Sequence, residues 1–389
     1  MPPLTSTLLP RLTHLIIGAT VVAGLVACSE HESVLLQPKA PHATAQLSTP
    51  KIKLIYDGDL GPDPCDFTTL SMLHEYHRQG MIDLIGILSA SPDLEQANTL
   101  ALYNRLYGNE ITVGAWRRLD MLAHYNFVDW LFYRYSVWYI SHQNPNAFIR
   151  SRYHFDTPLS IEQIADPVQT YRRLLAGAED DSITIYAAGP LFNLAFLLGT
   201  EADAHSHLSG AQLLRSKVKR LVIMGGNFPR SAGNPMFEGL LGAEYNWWAF
   251  AHESLTRDTV EALTELSLPI TFVGFEVGEQ LPIGNGLSKV LGEDHPTISA
   301  FLSYRKTGDG HSKQLVAQNP AFDEVALFHL VEGGLGEYFS RTPGRVIIDK
   351  HGANDWNPTA SGHEYISLVP GVEDELSALI IRRIAGQPD

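Results

Sequence analysis

Residues 51–66 read KIKLIYDGDLGPDPCD, and this stretch decides how the chain folds. Residues 51–57 form a short, mostly apolar run of the kind that is typical of a buried strand. Two glycines and two prolines then force a turn, after which helical spacing of apolar residues begins. Four aspartates lie in and around this turn: Asp57, Asp59, Asp63 and Asp66. We therefore predict a buried strand, an acidic loop at its carboxyl end, and a helix after the loop.

The rest of the chain alternates strand-like and helix-like segments. Helical spacing runs over residues 66–79, and a second helix is predicted over residues 94–107. Apolar runs typical of buried strands occur at residues 82–89, 111–116, 182–189, 218–226 and 266–275. This alternation predicts an α/β fold with a Rossmann-like, mostly parallel central sheet flanked by helices. We find no internal repeat and predict a single domain over residues 51–389.

The composition is that of an acidic globular protein. The 389 residues are 44% hydrophobic and 18% charged, which excludes disorder or a fibrous repeat as the main theme. The formal charge is −15, from 28 basic and 43 acidic residues, so we expect no nucleic-acid polymer as a partner. The two cysteines, Cys28 and Cys65, provide neither a disulfide scaffold nor a paired-cysteine zinc site.

Residues 1–27 have the anatomy of a secretory signal. One charge, Arg11, precedes an apolar run from Leu15 to Ala27 that is too short to span a bilayer well as a helix. The sequence Leu25-Val26-Ala27-Cys28 resembles the lipobox of bacterial lipoproteins, in which the signal is cut before the cysteine and the cysteine is acylated. An ordinary signal peptide that happens to carry a cysteine is the alternative.

The segment after the lipobox predicts where the domain sits in the cell. Residues 28–50 are rich in Ser, Pro, Ala, Gln and His without an apolar period, which is typical of a flexible tether. With Cys28 acylated, we expect a lipid-anchored protein of a bacterial cell envelope that faces the periplasm. Ser29 lacks the charge that often retains lipoproteins in the inner membrane, which weakly favours the outer membrane.

The acidic turn is a candidate cation site. Carboxylates crowded at one turn repel one another, and a bound cation normally neutralises them. Oxygen ligands favour calcium or magnesium over zinc. The turn also follows the carboxyl end of a strand, which is where open parallel sheets bind their ligands. A solvated acidic loop that binds nothing is the alternative interpretation.

The same turn resembles the signature of the inosine–uridine-preferring nucleoside hydrolase family. The family pattern Asp-x-Asp-x-Gly-x-Asp-x-Asp-Asp fits residues 57–66 without a gap, with Cys65 in place of the first member of the final aspartate pair. Further family motifs follow in the expected order: Gly189-Pro190-Leu191-Phe192-Asn193, Val222-Ile223-Met224-Gly225-Gly226, Glu244-Tyr245-Asn246, and Asp323 at the start of a helical segment. The resemblance spans residues 51–385 and implies the nucleoside-hydrolase fold.

The resemblance implies a calcium-dependent enzyme that hydrolyses the N-glycosidic bond of ribonucleosides or a related ribosyl compound. By position, Asp59, Asp66, Asp323 and the backbone carbonyl of Ala188 would bind the calcium ion. Asp59 would also act as the general base for a calcium-activated water that attacks the anomeric carbon. The residues that the resemblance places against substrate are Asp57, Asp63, Cys65, Asn227, Glu244, Asn246 and Phe322. Family members are commonly oligomeric, so the resemblance is compatible with a homo-oligomer.

Two departures from the family bear on activity. Cys65 stands where the family holds a ribose hydroxyl with a carboxylate, and a thiol is a weak hydrogen-bond partner and a poor calcium ligand. Phe322 stands where a histidine often protonates the leaving base, and phenylalanine has no proton to donate. A calcium-containing lipoprotein that binds a nucleoside or sugar with weak or no turnover is therefore one alternative. A haloacid dehalogenase-type phosphatase is another, although Gly61 stands where that class normally has threonine.

Two smaller expectations concern single segments. Residues 121–140 carry eight aromatic side chains, which we interpret as a helical excursion buried against the core, with the wall of a ligand pocket as the alternative. His74 and His77 lie on the first predicted helix, and we expect both to be exposed polar residues.

Overall fold

The computed structural model describes residues 51–61, 63–90, 95–116, 145–153, 163–228, 243–248, 255–307 and 319–387. The signal, the tether with Cys28 and the aromatic segment 121–140 lie outside the described residues, so the expectations for them stay predictions. Within the described residues, no helix combines the length and the apolar character that crossing a bilayer requires.

The described strands form one nine-stranded sheet. The strands are β1 Ile52–Gly58, β2 Ile82–Ser89, β3 Thr112–Gly114, β4 Ile183–Ala188, β5 Val218–Met224, β6 Ile270–Val273, β7 Phe339–Ile348, β8 Asn354–Asn357 and β9 His363–Leu368. Their order across the sheet is β3-β2-β1-β4-β5-β6-β9-β7-β8. Neighbours from β3 to β9 pair in parallel, whereas β7 pairs antiparallel with both β9 and β8. The predicted α/β fold with a mostly parallel sheet is confirmed.

Helices flank this sheet and connect its parallel strands. Those described are α1 Cys65–Gln79, α2 Gln96–Tyr107, α3 Pro145–Arg152, α4 Pro167–Ala176, α5 Phe192–Leu198, α6 Gly210–Lys217, α7 Tyr245–Trp248, α8 Leu255–Glu265, α9 Phe275–Glu279, α10 Leu287–Leu291, α11 Pro296–Thr307, α12 Phe322–Glu332 and α13 Glu373–Ile384. The predicted segments 66–79 and 94–107 correspond to α1 and α2, each within two residues of the predicted bounds.

The sheet has an apolar core on each face. In β1, Leu54 and Tyr56 belong to one core and Ile55 belongs to the other, and all three side chains are fully buried. Successive side chains of a strand point to opposite faces, so a strand covered on both sides reads as a continuous apolar run. This is why the apolar runs in the sequence predicted the central strands.

Two features of the fold differ from the expectations. The antiparallel strands β7 to β9 were not predicted, because β7 alternates buried and exposed residues and carries Arg341 and Arg345 among its apolar positions. His74 is fully buried rather than exposed, and its ring stacks on Tyr107 of α2 with ring centroids 5.1 Å apart. An imidazole in a helix can pack as an aromatic ring, which polarity alone does not indicate.

Candidate active site

The loop that follows β1 is held in an uncommon backbone conformation. Leu60 has φ +50° and Gly61 has φ +108°, and the Leu60 side chain is fully buried. A positive φ is uncommon for a residue with a side chain and persists only where the surroundings enforce it. Gln96 of α2 donates to the backbone oxygen of Asp59 over 2.6 Å, and Asn146 of α3 donates to that of Leu60 over 3.1 Å. Two helices therefore fix the loop that presents Asp59.

Asp66 is a rigid carboxylate in the first turn of α1. Its Oδ1 accepts a hydrogen bond from the Tyr56 hydroxyl at 2.9 Å, and its Oδ2 accepts one from the backbone N–H of Gly61 at 2.8 Å. Burial and, after it, the charge of Asp63 raise the pKa of Asp66 to about 7, although these two donors favour the charged form. A strand residue and a loop residue thus orient this carboxylate.

Asp59 and Asp323 add two buried carboxylates near Asp66. Asp59 is 6% exposed and Asp323, in the first turn of α12, is 2% exposed. Burial raises the pKa of both, and the charge of Asp66 is the next largest cause in each case. The Tyr186 hydroxyl donates to the backbone oxygen of Asp323 at 2.6 Å, while the Asp323 Oδ2 is buried without a hydrogen-bond donor. This excess of buried negative charge is what a divalent cation would neutralise.

The end of β4 packs directly against the Asp59 loop. Ala188 is paired in register with Gly58 of β1, so its backbone lies at the same edge of the sheet as the carboxylates. A Cβ atom on Gly189 would lie 3.0 Å from the Asp59 nitrogen, so a larger residue would push the two loops apart. The three predicted carboxylate ligands and Ala188 are therefore brought to one place, and their hard oxygen donors fit calcium or magnesium.

Among the described residues, the most closely spaced set of candidate ligand atoms is not the predicted set of Asp59, Asp66 and Asp323. Asp63, Cys65 and Asp66 each offer one ligand atom within 4.8 Å of the others, whereas Asp59 and Asp323 lie outside this group. Asp63 Oδ1 accepts from the backbone N–H of Cys65 at 2.9 Å and from its Sγ at 2.5 Å. Burial and the surrounding carboxylates raise the pKa of the Cys65 thiol well above its usual range. Cys65 therefore acts as a thiol that donates a hydrogen bond to a carboxylate.

Asp57 lies at the same strand end, and scaffold groups occupy its carboxylate. The Tyr171 hydroxyl donates to Oδ2 at 3.0 Å, and the Asn193 amide donates to Oδ1 at 2.8 Å. Asn193 also donates to the backbone oxygen of Ser89 and accepts from the Trp116 indole. Burial raises the pKa of Asp57 to about 7. Its two oxygens tie β1 to helices α4 and α5, and its contact with substrate stays a prediction.

The Glu244-Tyr245-Asn246 motif lies at the carboxyl end of β5. Glu244 is 2% exposed, and its two carboxylate oxygens lie 3.1 Å from the backbone N–H of Asn246. Burial raises the pKa of Glu244 to about 7 despite several backbone N–H donors. The Asn246 amide lies 3.8 Å from the Met224 sulfur at the end of β5. Two polar side chains thus stand at the same sheet edge as the acidic cluster, two strands away from it.

Asn227 is held in place by the antiparallel part of the sheet. Its backbone N–H donates to Asn354 Oδ1 at 3.0 Å, and its backbone oxygen accepts from the Asn354 amide at 2.9 Å. Asn354 begins β8, which the sequence analysis did not predict. Gly226 precedes Asn227 with φ +78°, a conformation that favours glycine in this turn.

Three aromatic rings, those of Phe322, Phe275 and Tyr245, form a wall between the Glu244-Tyr245-Asn246 motif and Asp323. Phe322 stacks on Phe275, with ring centroids 4.6 Å apart and planes 28° from parallel. The Tyr245 ring lies 6.5 Å from that of Phe275. Flat apolar surfaces of this kind suit the face of a base or a sugar.

Sequence analysis missed several residues that hold the predicted site residues in place. They are Tyr56, Tyr171, Tyr186, Gln96 and Asn354. Tyr56 precedes Asp57 in the quoted stretch, so the sequence carries a signal for this residue. No sequence pattern links Tyr171 to Asp57.

Comparison by sequence found no match, whereas comparison by structure found several solved proteins with a similar fold. No family model and no curated protein matches the sequence. A plant nucleoside hydrolase, PpNRh1, superposes with a TM-score of 0.59 at 15% identity, over 86% of this chain and 99% of that one. The inosine–uridine-preferring nucleoside hydrolase of Bacillus anthracis superposes with a TM-score of 0.54 at 18% identity, over 86% and 99%. The type III effector XopQ, solved with adenosine diphosphate ribose, gives a TM-score of 0.54 at 15% identity, over 88% and 95%.

These neighbours cover most of this chain and nearly all of their own length. At such identities the likeness concerns the fold, and the nucleoside-hydrolase fold that the motifs predicted is confirmed.

Proposed function

We propose that this chain hydrolyses the N-glycosidic bond of a ribonucleoside or a related ribosyl compound with the help of a calcium ion. One observation carries the proposal: Asp59, Asp66 and Asp323 are all buried and close enough for their charges to act on one another, in a fold whose solved examples include nucleoside hydrolases. Buried carboxylates without a counter-charge are costly, so their presence at a ligand-binding edge supports a cation site.

The residues that would hold the cation are those with hard oxygen donors. They are the carboxylates of Asp59, Asp66 and Asp323 and the backbone carbonyl of Ala188. When bound, a divalent cation supplies Lewis acidity and neutralises the charge of these carboxylates. The Asp323 Oδ2, buried without a donor, is the atom that fits such a role most directly.

The proton and the developing charge are handled by side chains of this chain. Asp59 lies on a loop that two helices fix, and its raised pKa suits a base that takes a proton from the attacking water. Cleavage of the glycosidic bond builds positive charge on the sugar, which neighbouring carboxylates stabilise. Glu244, Asn246 and Asn227 would hold the sugar hydroxyls from the β5 side of the edge.

The leaving group meets an aromatic wall rather than an acid. Phe322 and Phe275 would stack on it but have no proton to give. We therefore expect substrates whose leaving group departs readily as an anion to react fastest. With p-nitrophenyl riboside and inosine as the pair, the nitrophenyl compound should have the higher kcat by more than tenfold. Equal kcat values would indicate a proton donor outside this wall.

The test of the activity is release of free sugar by the chain without residues 1–28. Purine and pyrimidine ribonucleosides are offered with calcium and with a chelator. We expect release that requires calcium and falls by at least about a hundredfold in Asp59→Ala. Asp180→Asn, which changes an exposed carboxylate that pairs with Lys217 at the surface, is the control for a general charge effect. No release from any riboside, with calcium bound, would refute the proposal.

A second candidate is a binding protein for a ribosyl ligand. Phe322 has no proton for a leaving group, which would weaken catalysis, whereas its ring would still stack on a base or a sugar. The structure of XopQ with adenosine diphosphate ribose supplies the ligand to try. Saturable binding of adenosine diphosphate ribose in calorimetry, with no sugar released from any riboside, would favour this candidate.

We also propose that the domain is tethered to a bacterial envelope membrane through acylated Cys28. The lipobox-like sequence before Cys28 and the flexible composition of residues 28–50 support this. The unaltered chain should incorporate labelled fatty acid and partition into detergent, whereas Cys28→Ser should do neither. Cys65→Ser is the matched control and should keep the label.

A further inference from the structure

Glu324 is a buried carboxylate that the mechanism above does not use. It follows Asp323 in the first turn of α12 and is fully buried. One of its oxygens contacts the Thr68 hydroxyl, and the other, Oε2, is buried without a hydrogen-bond partner. A buried carboxylate with an unpartnered oxygen is unusual, because protein cores consist mainly of apolar side chains and buried polar atoms are normally hydrogen-bonded.

The position of Glu324 relates it to the acidic cluster. The Thr68 hydroxyl lies 2.7 Å from the backbone oxygen of Cys65, one helical turn back along α1, so its single proton is shared between that oxygen and Glu324. Glu324 is thus joined through one side chain to the turn that carries Cys65 and Asp66. The charges of Asp63 and Asp66 act on Glu324, and the charge of Glu324 acts in turn on Cys65 and Asp323.

Cys65 explains why an additional carboxylate would be useful here. Its thiol offers no negative charge, so the turn after β1 has one fewer carboxylate than the signature it otherwise follows. Glu324 is close enough for its charge to act on Cys65 and Asp323, and its Oε2 has no hydrogen-bond partner among the described residues. The carboxylate absent at position 65 and the carboxylate buried at position 324 offset each other in charge.

We propose that Glu324 is an additional oxygen ligand for the cation of this site and replaces the charge that Cys65 does not supply. The inference rests on the proposed function, because it concerns the same cation. It assigns to Glu324 a binding role through Oε2, with Thr68 as a positioning residue that holds the other oxygen.

The test is the affinity of the chain for calcium, measured by calorimetry and by terbium luminescence. Glu324→Gln should weaken calcium binding at least tenfold, which corresponds to about 1.4 kcal/mol. Glu276→Gln is the matched control, because Glu276 also has a buried oxygen without a partner but does not act on Asp59, Asp66 or Asp323. Its calcium affinity should stay within about twofold of the unaltered chain.

Two further variants keep the test decisive. Adding Cys65→Asp to Glu324→Gln restores the number of carboxylates and should recover most of the lost affinity. If Glu324→Gln does not fold, Glu324→Asp keeps the charge, shortens the side chain by one methylene, and should also bind calcium more weakly. Equal calcium affinity of folded Glu324→Gln and Glu276→Gln would overturn the inference, as would absence of calcium binding by the unaltered chain.

Sugar release is measured separately on the same proteins. A tenfold loss of calcium affinity in Glu324→Gln together with no sugar release from the unaltered chain would support the role of Glu324 and refute the proposed hydrolysis. Sugar release with unchanged calcium affinity in Glu324→Gln would do the reverse.

Discussion

His74 makes the stability of this protein depend on pH in a way that one substitution should remove. Its ring is fully buried on α1, the helix that begins with Cys65 and Asp66. Nδ1 lies 2.8 Å from the Asn109 amide, the ring stacks on Tyr107, and Nε2 has no partner. When Nδ1 accepts from the Asn109 amide, the neutral ring carries its proton on Nε2. Protonation would add an N–H at Nδ1 that faces this donor and would place a charge in a buried site, so the folded state keeps the ring neutral.

The magnitude follows from the pKa of His74. Burial lowers it from 6.5 to about 3. Between these values the unfolded chain binds a proton that the folded chain does not, so stability is complete above pH 6.5 and is lost as the pH falls. At about 1.4 kcal/mol per pKa unit, His74 alone removes about 3 kcal/mol of unfolding free energy between pH 7 and pH 4.

The comparison of the unaltered chain with His74→Phe isolates this effect. Phenylalanine keeps the stack on Tyr107 but cannot bind a proton, and the half-buried Asn109 can turn to water. Carboxylates titrate in both proteins, so their contributions cancel in the difference between the two unfolding free energies. Urea denaturation at pH 4 to 7 with a chelator should show His74→Phe gaining about 3 kcal/mol on the unaltered chain as the pH falls. Parallel pH profiles would refute the reasoning.

Three further predictions concern other contacts. Phe322→His introduces a proton donor at the aromatic wall and should raise kcat for inosine by about 10²-fold, as measured by sugar release. The kcat for p-nitrophenyl riboside should change by no more than a few-fold. An unchanged inosine rate would show that leaving-group protonation does not limit the reaction. Tyr171→Phe removes a donor to Asp57 and should lower the unfolding free energy by about 1–3 kcal/mol at pH 8, and by less at pH 5, where Asp57 is protonated. Arg172→Met removes a fully buried guanidinium that pairs with Asp203 and donates to the backbone oxygens of Ser206 and Leu208. It should lower the unfolding free energy by about 3 kcal/mol in urea denaturation. A loss below about 1 kcal/mol would contradict the importance of this network.

The acidic turn is the part of the site that the residue pattern alone predicted, because its members lie close together along the chain. Asp57, Asp59, Asp63 and Asp66 share one turn after one strand, and local patterns describe such a unit well. The motif that begins at Glu244 was predicted only through the family resemblance, and the structure places it beside Met224 at the end of β5. His74 was expected on the surface because histidine is polar and the sequence does not show which aromatic rings pack on it. The structure buries it against Tyr107.

The parts that were missed depend on partners from distant segments. Strand β7 mixes buried and exposed residues, β8 has a single buried residue, and β9 mixes buried and half-buried ones, so these strands lack the continuous apolar runs that marked the central strands. Asn354 of β8 nevertheless holds Asn227, and Tyr171 of α4 holds Asp57. Hydrogen bonds across the fold leave no periodic trace in either segment.

The sequence by itself determined the parallel α/β fold and the acidic loop at the end of its first strand. Both follow from local physical preferences, namely burial of apolar runs, turn formation by glycine and proline, and the period of each element. The family resemblance already grouped Asp323 with Asp59 and Asp66, but only the tertiary structure decided that Glu324 joins them. It brings Glu324 of α12 to Thr68 of α1, because packing of helices on the sheet sets such distances and side-chain chemistry alone does not.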